Sequence, residues 1–389
     1  MRSPFMPHMP AISLFRGVVP KLVIAWAVVA AFQFEFHSWL SADMSPIVAI
    51  ACFAVLFATI LMAAFGVVRE ADALAHRLGE PYGTLILTLS IVSIEVILIA
   101  AVMLGPGEAP TIARDSIFAV MMIIMNLITG ICLLAGALKY GEQEYNAPGT
   151  ITFISMILIL VGVALLLPNT LSTGNGTFTP VQAFVLSVLT VIGYGGFLAL
   201  QMGRYRSDFM QPEAGRMWIL LSEAASRNKA DDTTAEAGGS SNLMHAVTLV
   251  ALMLPIVLLA HDLAIIIDYG VVQAGAPVAV GGVLIAIIVF TPESITAIKA
   301  ALNNETQRAI NLCLGAFVST VGLTVPAVLT VGLMTGKTVV FGISAVETVL
   351  LALTIGLTTL TYLGHRTSAT QGMLHILLFF VFGLMLFTA

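Results

Sequence analysis

Apolar residues run along this chain in blocks of about 20, broken by charged, Pro-rich or Gly-rich stretches. A block that long suits an α-helix crossing a hydrocarbon core of about 30 Å, whereas a membrane strand needs only about 10 residues. Counting blocks predicts eleven spans, roughly 20–40, 45–68, 82–104, 116–139, 148–167, 178–203, 243–263, 277–300, 308–333, 338–360 and 370–388. Backbone N–H and C=O groups in lipid need partners within their own segment, so the expected fold is an all-α membrane bundle. Composition agrees: 59% of residues are hydrophobic, 10% are charged, and mean hydropathy is +1.02, outside the range of water-soluble domains.

Lys and Arg then set an orientation. With the N-terminus inside, every one of the 16 basic residues except Arg114 and Lys337 falls on the inner side, the asymmetry expected of a correctly counted topology. That predicts a cytoplasmic N-terminus and an outer C-terminus. The longest polar stretch, from Gly203 to Asn242, contains ADDTTAEAGGSSN and reads as a cytoplasmic linker. It divides the chain into an N-terminal segment with the first span (1–44), a first five-span repeat (45–203), the linker (204–242) and a second five-span repeat (243–389). Five spans per half force the halves to enter the membrane from opposite sides, which is an inverted 5+5 repeat.

The second helix of each half carries a Glu near mid-span with a hydroxyl two residues earlier: Ser93 before Glu95, and Thr291 before Glu293. An ionised carboxylate at mid-bilayer costs about 2.5–3.5 kcal/mol on insertion scales, so such residues normally face a polar cavity and mark an ion or proton path. Pro292, next to Glu293, removes a backbone N–H, so a broken helix there is expected to offer free carbonyl oxygens beside the carboxylate, a donor set suited to Ca2+ or Na+. Asn126, Ser319 and Thr324 could add amide or hydroxyl oxygens from the following helices, although such residues often bond their own backbone. Glu347, inside the tenth predicted span, reads as a third intramembrane carboxylate and a proton shuttle. The GYGGF stretch around Tyr194 points to close helix packing.

Several function classes drop out. The net charge of −5 comes without a basic stripe, which excludes nucleic acid as a partner, and no polybasic cluster addresses a lipid surface. Cys52, Cys132 and Cys313 lie in apolar runs without metal-ligand spacing, so neither a disulfide framework nor a zinc site is indicated. No small-residue cleavage site follows the first apolar block, which reads as a retained helix. An intramembrane protease would need a motif such as HExxH, and no His lies near either Glu in the sequence. A cation channel is the nearer rival, separated from a carrier by a continuous pore.

The stretch READALAHRLGEPYGTLILTLSIVSIEVILIAAVML, then RDSIFAVMMIIMNLITGICLLAG and GEQEYN, resembles the first repeat of ChaA-type calcium/proton antiporters of the cation/proton exchanger family. FTPESITAIKAALNNETQRAINLCLGAFVSTVGLTVPAVL resembles the second, and the likeness runs from about Gly66 to the C-terminus. It implies an eleven-helix secondary active antiporter of a bacterial inner membrane. Glu95 and Glu293 would be its acidic positions, binding cation and protons alternately. Asn126 falls at the family's Asn, and Ser319 stands where many exchangers have Gln. Many relatives carry Gly-Asn-Ala before each key Glu, whereas this chain has Ile91, Val92, Ser93 and Val289, Phe290, Thr291. The implied activity is Ca2+/H+ exchange, with Na+/H+ or K+/H+ exchange as alternatives. Membrane lipid and the transported cations are the implied partners; no cofactor is implied, and the oligomeric state is left open.

Overall fold

The computed structural model describes residues 12–40, 44–78, 82–105, 109–171, 175–212, 238–364 and 366–388. Among them eleven helices follow the predicted order: α1 Ile12–Phe34, α2 Pro46–Leu78, α3 Tyr82–Met103, α4 Ile112–Tyr140, α5 Ala147–Thr170, α6 Pro180–Met202, α7 Gly238–Ala274, α8 Ala279–Leu302, α9 Thr306–Thr335, α10 Ala345–Tyr362 and α11 Ala369–Thr388. By length and composition nine of these can cross a membrane, and Val18–Phe34 of α1 and Thr88–Met103 of α3 add two shorter apolar helices. Most of the predicted linker, including Asp231, Asp232 and Glu236, lies outside the described residues.

Local signals set several boundaries. Thr179 and Gln182 form a capping box at the start of α6, with Pro180 in the first turn. Ser344 and Glu347 form another at the start of α10, which therefore begins at Ala345 rather than 338. Glu347 thus stands in the first turn at one end of the bundle and is no mid-span carboxylate. The helices α2 and α7 outrun their predicted spans because the turns beyond them, such as READALAHRL, favour helix. The added part of α2 is joined to α7 by a buried bond of 2.5 Å between Glu70 Oε2 and His245 Nδ1. The helix α8 runs unbroken through Pro292, so the expected broken helix does not form. Irregular turns occur elsewhere: widened π-turns at Met122–Ile128 in α4, Gly162–Leu166 in α5 and Thr320–Thr324 in α9.

The packing has the symmetry that five-plus-five topology requires. The first helices of the two halves, α2 and α7, pack on each other, as do the second, α3 and α8. The second helix of each half packs on the third of the other, α3 on α9 and α8 on α4, and each third helix packs on the other half's fifth, α4 on α11 and α9 on α6. Exchanging the halves leaves this pattern unchanged, as an inverted repeat demands. The loops obey the same rule. At the end carrying Lys337, Val340 N donates to Pro110 O at 2.8 Å and Phe341 N to Gly176 O at 2.9 Å, tying the α9–α10 loop to the α3–α4 and α5–α6 loops. At the other, basic end, the α4–α5 loop is tied to the α8–α9 loop by Gln143 Nε2 donating to Asn304 Oδ1 at 2.9 Å, and to the α10–α11 loop by the Gln143–Glu144 pairing with Arg366–Thr367.

With lipid outside, no hydrophobic drive pulls apolar helices together, and close backbone approach supplies the attraction instead. A Cβ on Gly372 of α11 would stand 2.7 Å from Gly130 O of α4, and one on Gly282 of α8 would stand 2.6 Å from the Asp115 backbone of α4. Gly372→Leu should therefore lower stability by about 1–3 kcal/mol or more, because backbone cannot yield as a side chain can. Gly383→Leu on the same helix, where a Cβ meets open space, should leave it unchanged. Thermal unfolding in detergent checks the pair.

Candidate cation and proton site

Glu95 and Glu293 project from α3 and α8, the second helices of the two halves, which pack on each other. The Glu95 side chain has no solvent exposure; Thr324 Oγ1, from the π-turn of α9, donates to its Oε2 at 3.0 Å. Thr320, at the start of that turn, lies beside the same carboxyl without a hydrogen bond of standard geometry. Glu95 Oε1 and Glu293 Oε2 are both buried without a hydrogen-bond partner, and the two carboxyls are close enough to repel each other when ionised.

The repeat accounts for this arrangement. The interval that carries Glu95 onto Glu293 also carries Met122, where the π-turn of α4 begins, onto Thr320, where that of α9 begins, and Asn126 onto Thr324. Each half thus supplies one carboxylate from its second helix and one π-turn from its third. Pro326 gives a local reason for the turn in α9: lacking an N–H, it leaves the Gly322 carbonyl without its usual helical partner.

A route to the site is visible from the basic end. A cavity of about 320 Å³ runs from Arg206 and Arg308 at the basic end, past Asn311 and Tyr194, to Glu293 and Ser319. On α9 it is bounded by the small residues Gly315, Ala316 and Ser319. The same interval places these opposite Ile117, Phe118 and Met121 on α4, all buried, with the Phe118 ring 5.9 Å from that of Phe382 on α11. Side-chain bulk fills on one side the space left open on the other.

The remaining sequence candidates divide. Ser319 lines the cavity beside Glu293, its hydroxyl donating to Ala316 O at 2.7 Å. Ser93 is half-buried on α3, Pro292 is buried within α8, and Thr291 Oγ1 donates to Ile287 O of its own helix at 2.5 Å. Asn126 is fully buried but bonds to α10 and α11. Glu347 is taken up by its capping box. Sequence reasoning did not single out Thr320, Asn311 or Arg308, and it read Tyr194 only as packing. Its ring does pack on Gly322, where a Cβ would stand 2.9 Å from it, but it also lines the cavity.

Chemically, two carboxylates and neighbouring hydroxyls make a set of hard oxygen donors. Among the described residues no three or more His, Cys, Asp or Glu gather at metal-binding distance, so a thiolate or imidazole site is not on offer. Buried carboxylate oxygens without partners call for a positive species, a cation or a proton, to meet them.

Known proteins resemble this chain along most of its length. Residues 48–203 match the family described as sodium/calcium exchanger protein. The sodium-potassium/proton antiporter ChaA of Escherichia coli (strain K12) is 34% identical over 344 residues, covering 88% of this chain and 90% of that protein. The putative ionic transporter y4hA of Sinorhizobium fredii (strain NBRC 101917 / NGR234) is 33% identical over 322 residues, covering 82% and 84%. The solved structure of native YfkE aligns with a TM-score of 0.71 at 16% identity over 95% of this chain and 100% of that one. The H+/Ca2+ exchanger CAX aligns with 0.67 at 14% over 96% and 89%. At these identities the likeness to the solved structures is one of fold. With the family match in its first half and a relative 34% identical along nearly the whole length, the chain belongs to the sodium/calcium exchanger family and is a multi-pass membrane transporter.

Proposed function

We propose that the chain exchanges a cation for protons across the membrane, with Glu95 and Glu293 holding each in turn. The observation that carries this reading is the pair of carboxylates from opposite halves, each with a buried oxygen lacking a partner. Two like charges in one buried site raise each other's proton affinity when no cation is present, so proton and cation compete for the same oxygens. That competition is the coupling. The cargo is a hard cation: the name of the 34% identical relative favours Na+ or K+, while the two carboxylates would neutralise one Ca2+. One Ca2+ against two H+ would move no net charge; any other ratio would draw on the membrane potential, about 2.3 kcal/mol per charge per 100 mV. The bulk of Ile117, Phe118 and Met121 beyond the site speaks against a continuous pore. Their exchange with the open side would be the alternation of access.

The basic end, where the cavity opens, faces the cytoplasm of a bacterial inner membrane in this reading, with the N-terminus inside and the C-terminus outside. Lys337→Cys should then react with an impermeant thiol reagent in intact cells, and Glu142→Cys only after permeabilisation; the reverse pattern would invert the topology. The native cysteines are buried and give a low background.

Proton movement evoked by Ca2+, Na+ or K+ in proteoliposomes tests the mechanism. Removing one carboxylate charge about 4 Å from a cation at an effective dielectric of about 20 forfeits about 4 kcal/mol, or about 10³ in affinity. Glu95→Gln and Glu293→Gln should each abolish exchange at ordinary cation concentrations, and flux that survives both would defeat the reading. Thr324→Val removes a hydrogen bond to a charged group worth about 1.5–3 kcal/mol and should raise the cation KM roughly tenfold or more.

A further inference from the structure

By the repeat, Asn126 is the counterpart of Thr324, yet the two behave differently. Thr324 donates to Glu95, whereas Asn126 bonds away from the site. Its Nδ2 donates to Thr354 Oγ1 on α10 at 2.9 Å, and its Oδ1 lies 3.2 Å from His375 Nδ1 on α11. With the amide nitrogen engaged at Thr354, the amide oxygen accepts, so His375 Nδ1 carries the hydrogen. His375 Nε2 is in turn 3.1 Å from Thr361 Oγ1, which donates to it. Asn126, Thr354 and His375 have no solvent exposure, and Thr361 is 1% exposed. Every polar atom of the Asn126 amide and of the His375 ring has a partner, while Glu293 Oε2 has none. The helix that carries Glu293, α8, packs against the π-turn that carries Asn126.

We propose that His375 is a positioning residue of the exchange cycle: through its bond to Oδ1 it holds the Asn126 amide off Glu293 while the basic end is open. Release of that bond loosens one of the two restraints on the amide, so that Asn126 can turn from Thr354 and donate to Glu293 as Thr324 donates to Glu95. The inference rests on the two-glutamate reading above. A charge-assisted bond from the amide to Glu293 strengthens the site that holds the cation, so withholding it on the open side loosens the cation and speeds its release. The π-turn suits such a movement, because its widened hydrogen-bond ladder is an irregular state of the helix that need not persist.

Cation-evoked proton flux in proteoliposomes, measured over a range of cation concentrations, tests this with His375→Leu and His375→Gln in wild-type and Asn126→Ala backgrounds. His375→Leu removes one of the two restraints on the amide and should lower both the cation KM and kcat several-fold. The Gln side chain can donate to Asn126 Oδ1 in place of the imidazole, so His375→Gln should return both toward wild type. Neither change should alter KM when Asn126 is Ala. An effect of equal size in both backgrounds, or a fall in kcat at constant KM, overturns the proposal, since a merely structural role would act without Asn126. If His375→Leu does not fold, Thr354→Val, which removes the other restraint on the amide, is scored by the same dependence on Asn126. Glu293→Gln run in parallel separates the two claims. Exchange that survives it defeats the two-glutamate reading, whereas loss of exchange without coupling between His375 and Asn126 defeats only the positioning role.

Discussion

Two carboxylates from opposite halves meet inside a bundle whose surroundings are hydrocarbon, and each keeps an oxygen without a partner. Burial of a charge in such a place is costly unless a positive species joins it, so the site is a standing demand for a cation or protons. The carboxyls sit on neighbouring helices, so neither can be neutralised without the other being affected. Among the described residues, the hydroxyl of Thr324 is the one that donates to them with standard geometry, at Glu95.

Building the site from two related halves explains why the helices pack as they do. A carboxylate on each second helix needs a polar neighbour from across the pseudo-two-fold axis, and the third helix of the other half is the one that packs there. Regular α-helix would keep that third helix's backbone groups bonded along its own axis. A π-turn at matching places in α4 and α9 disturbs the ladder where the carboxylates lie, and it carries Thr324 in one half and Asn126 in the other. The protein around the turn satisfies what lipid could not.

The extent to which this could be read from the sequence follows from which interactions are local. Spans are legible because length and apolarity are properties of a segment by itself, and all eleven appear in order. Glu95 and Glu293 are legible because a carboxylate in an apolar run is conspicuous. Glu347 is equally conspicuous, but Ser344 three residues before it marks a helix start, and that local motif outranks the apolar context. Pro292 sits inside a continuous α8, so the predicted break is absent, while the turn in α9 precedes Pro326 instead. The direction taken by Asn126 depends on Thr354 and His375, far along the chain, and no local pattern carries it. Close crossings such as Gly130 on Gly372 are likewise visible only once the helices are paired.

Which side of the site is open is decided by side chains rather than by the loops. Both ends of the bundle carry equivalent ties between the halves, the α9–α10 loop being held at one end as the α4–α5 loop is held at the other. Loop closure alone therefore cannot distinguish them. Along the third helices, however, Gly315, Ala316 and Ser319 on α9 leave a cavity, and at the equivalent places on α4 Ile117, Phe118 and Met121 fill it against α11. In the proposed exchange cycle, opening the second side would part Phe118 from Phe382, whose rings stand 5.9 Å apart here. The difference in bulk along α4 and α9 goes with a cavity that opens toward the basic end.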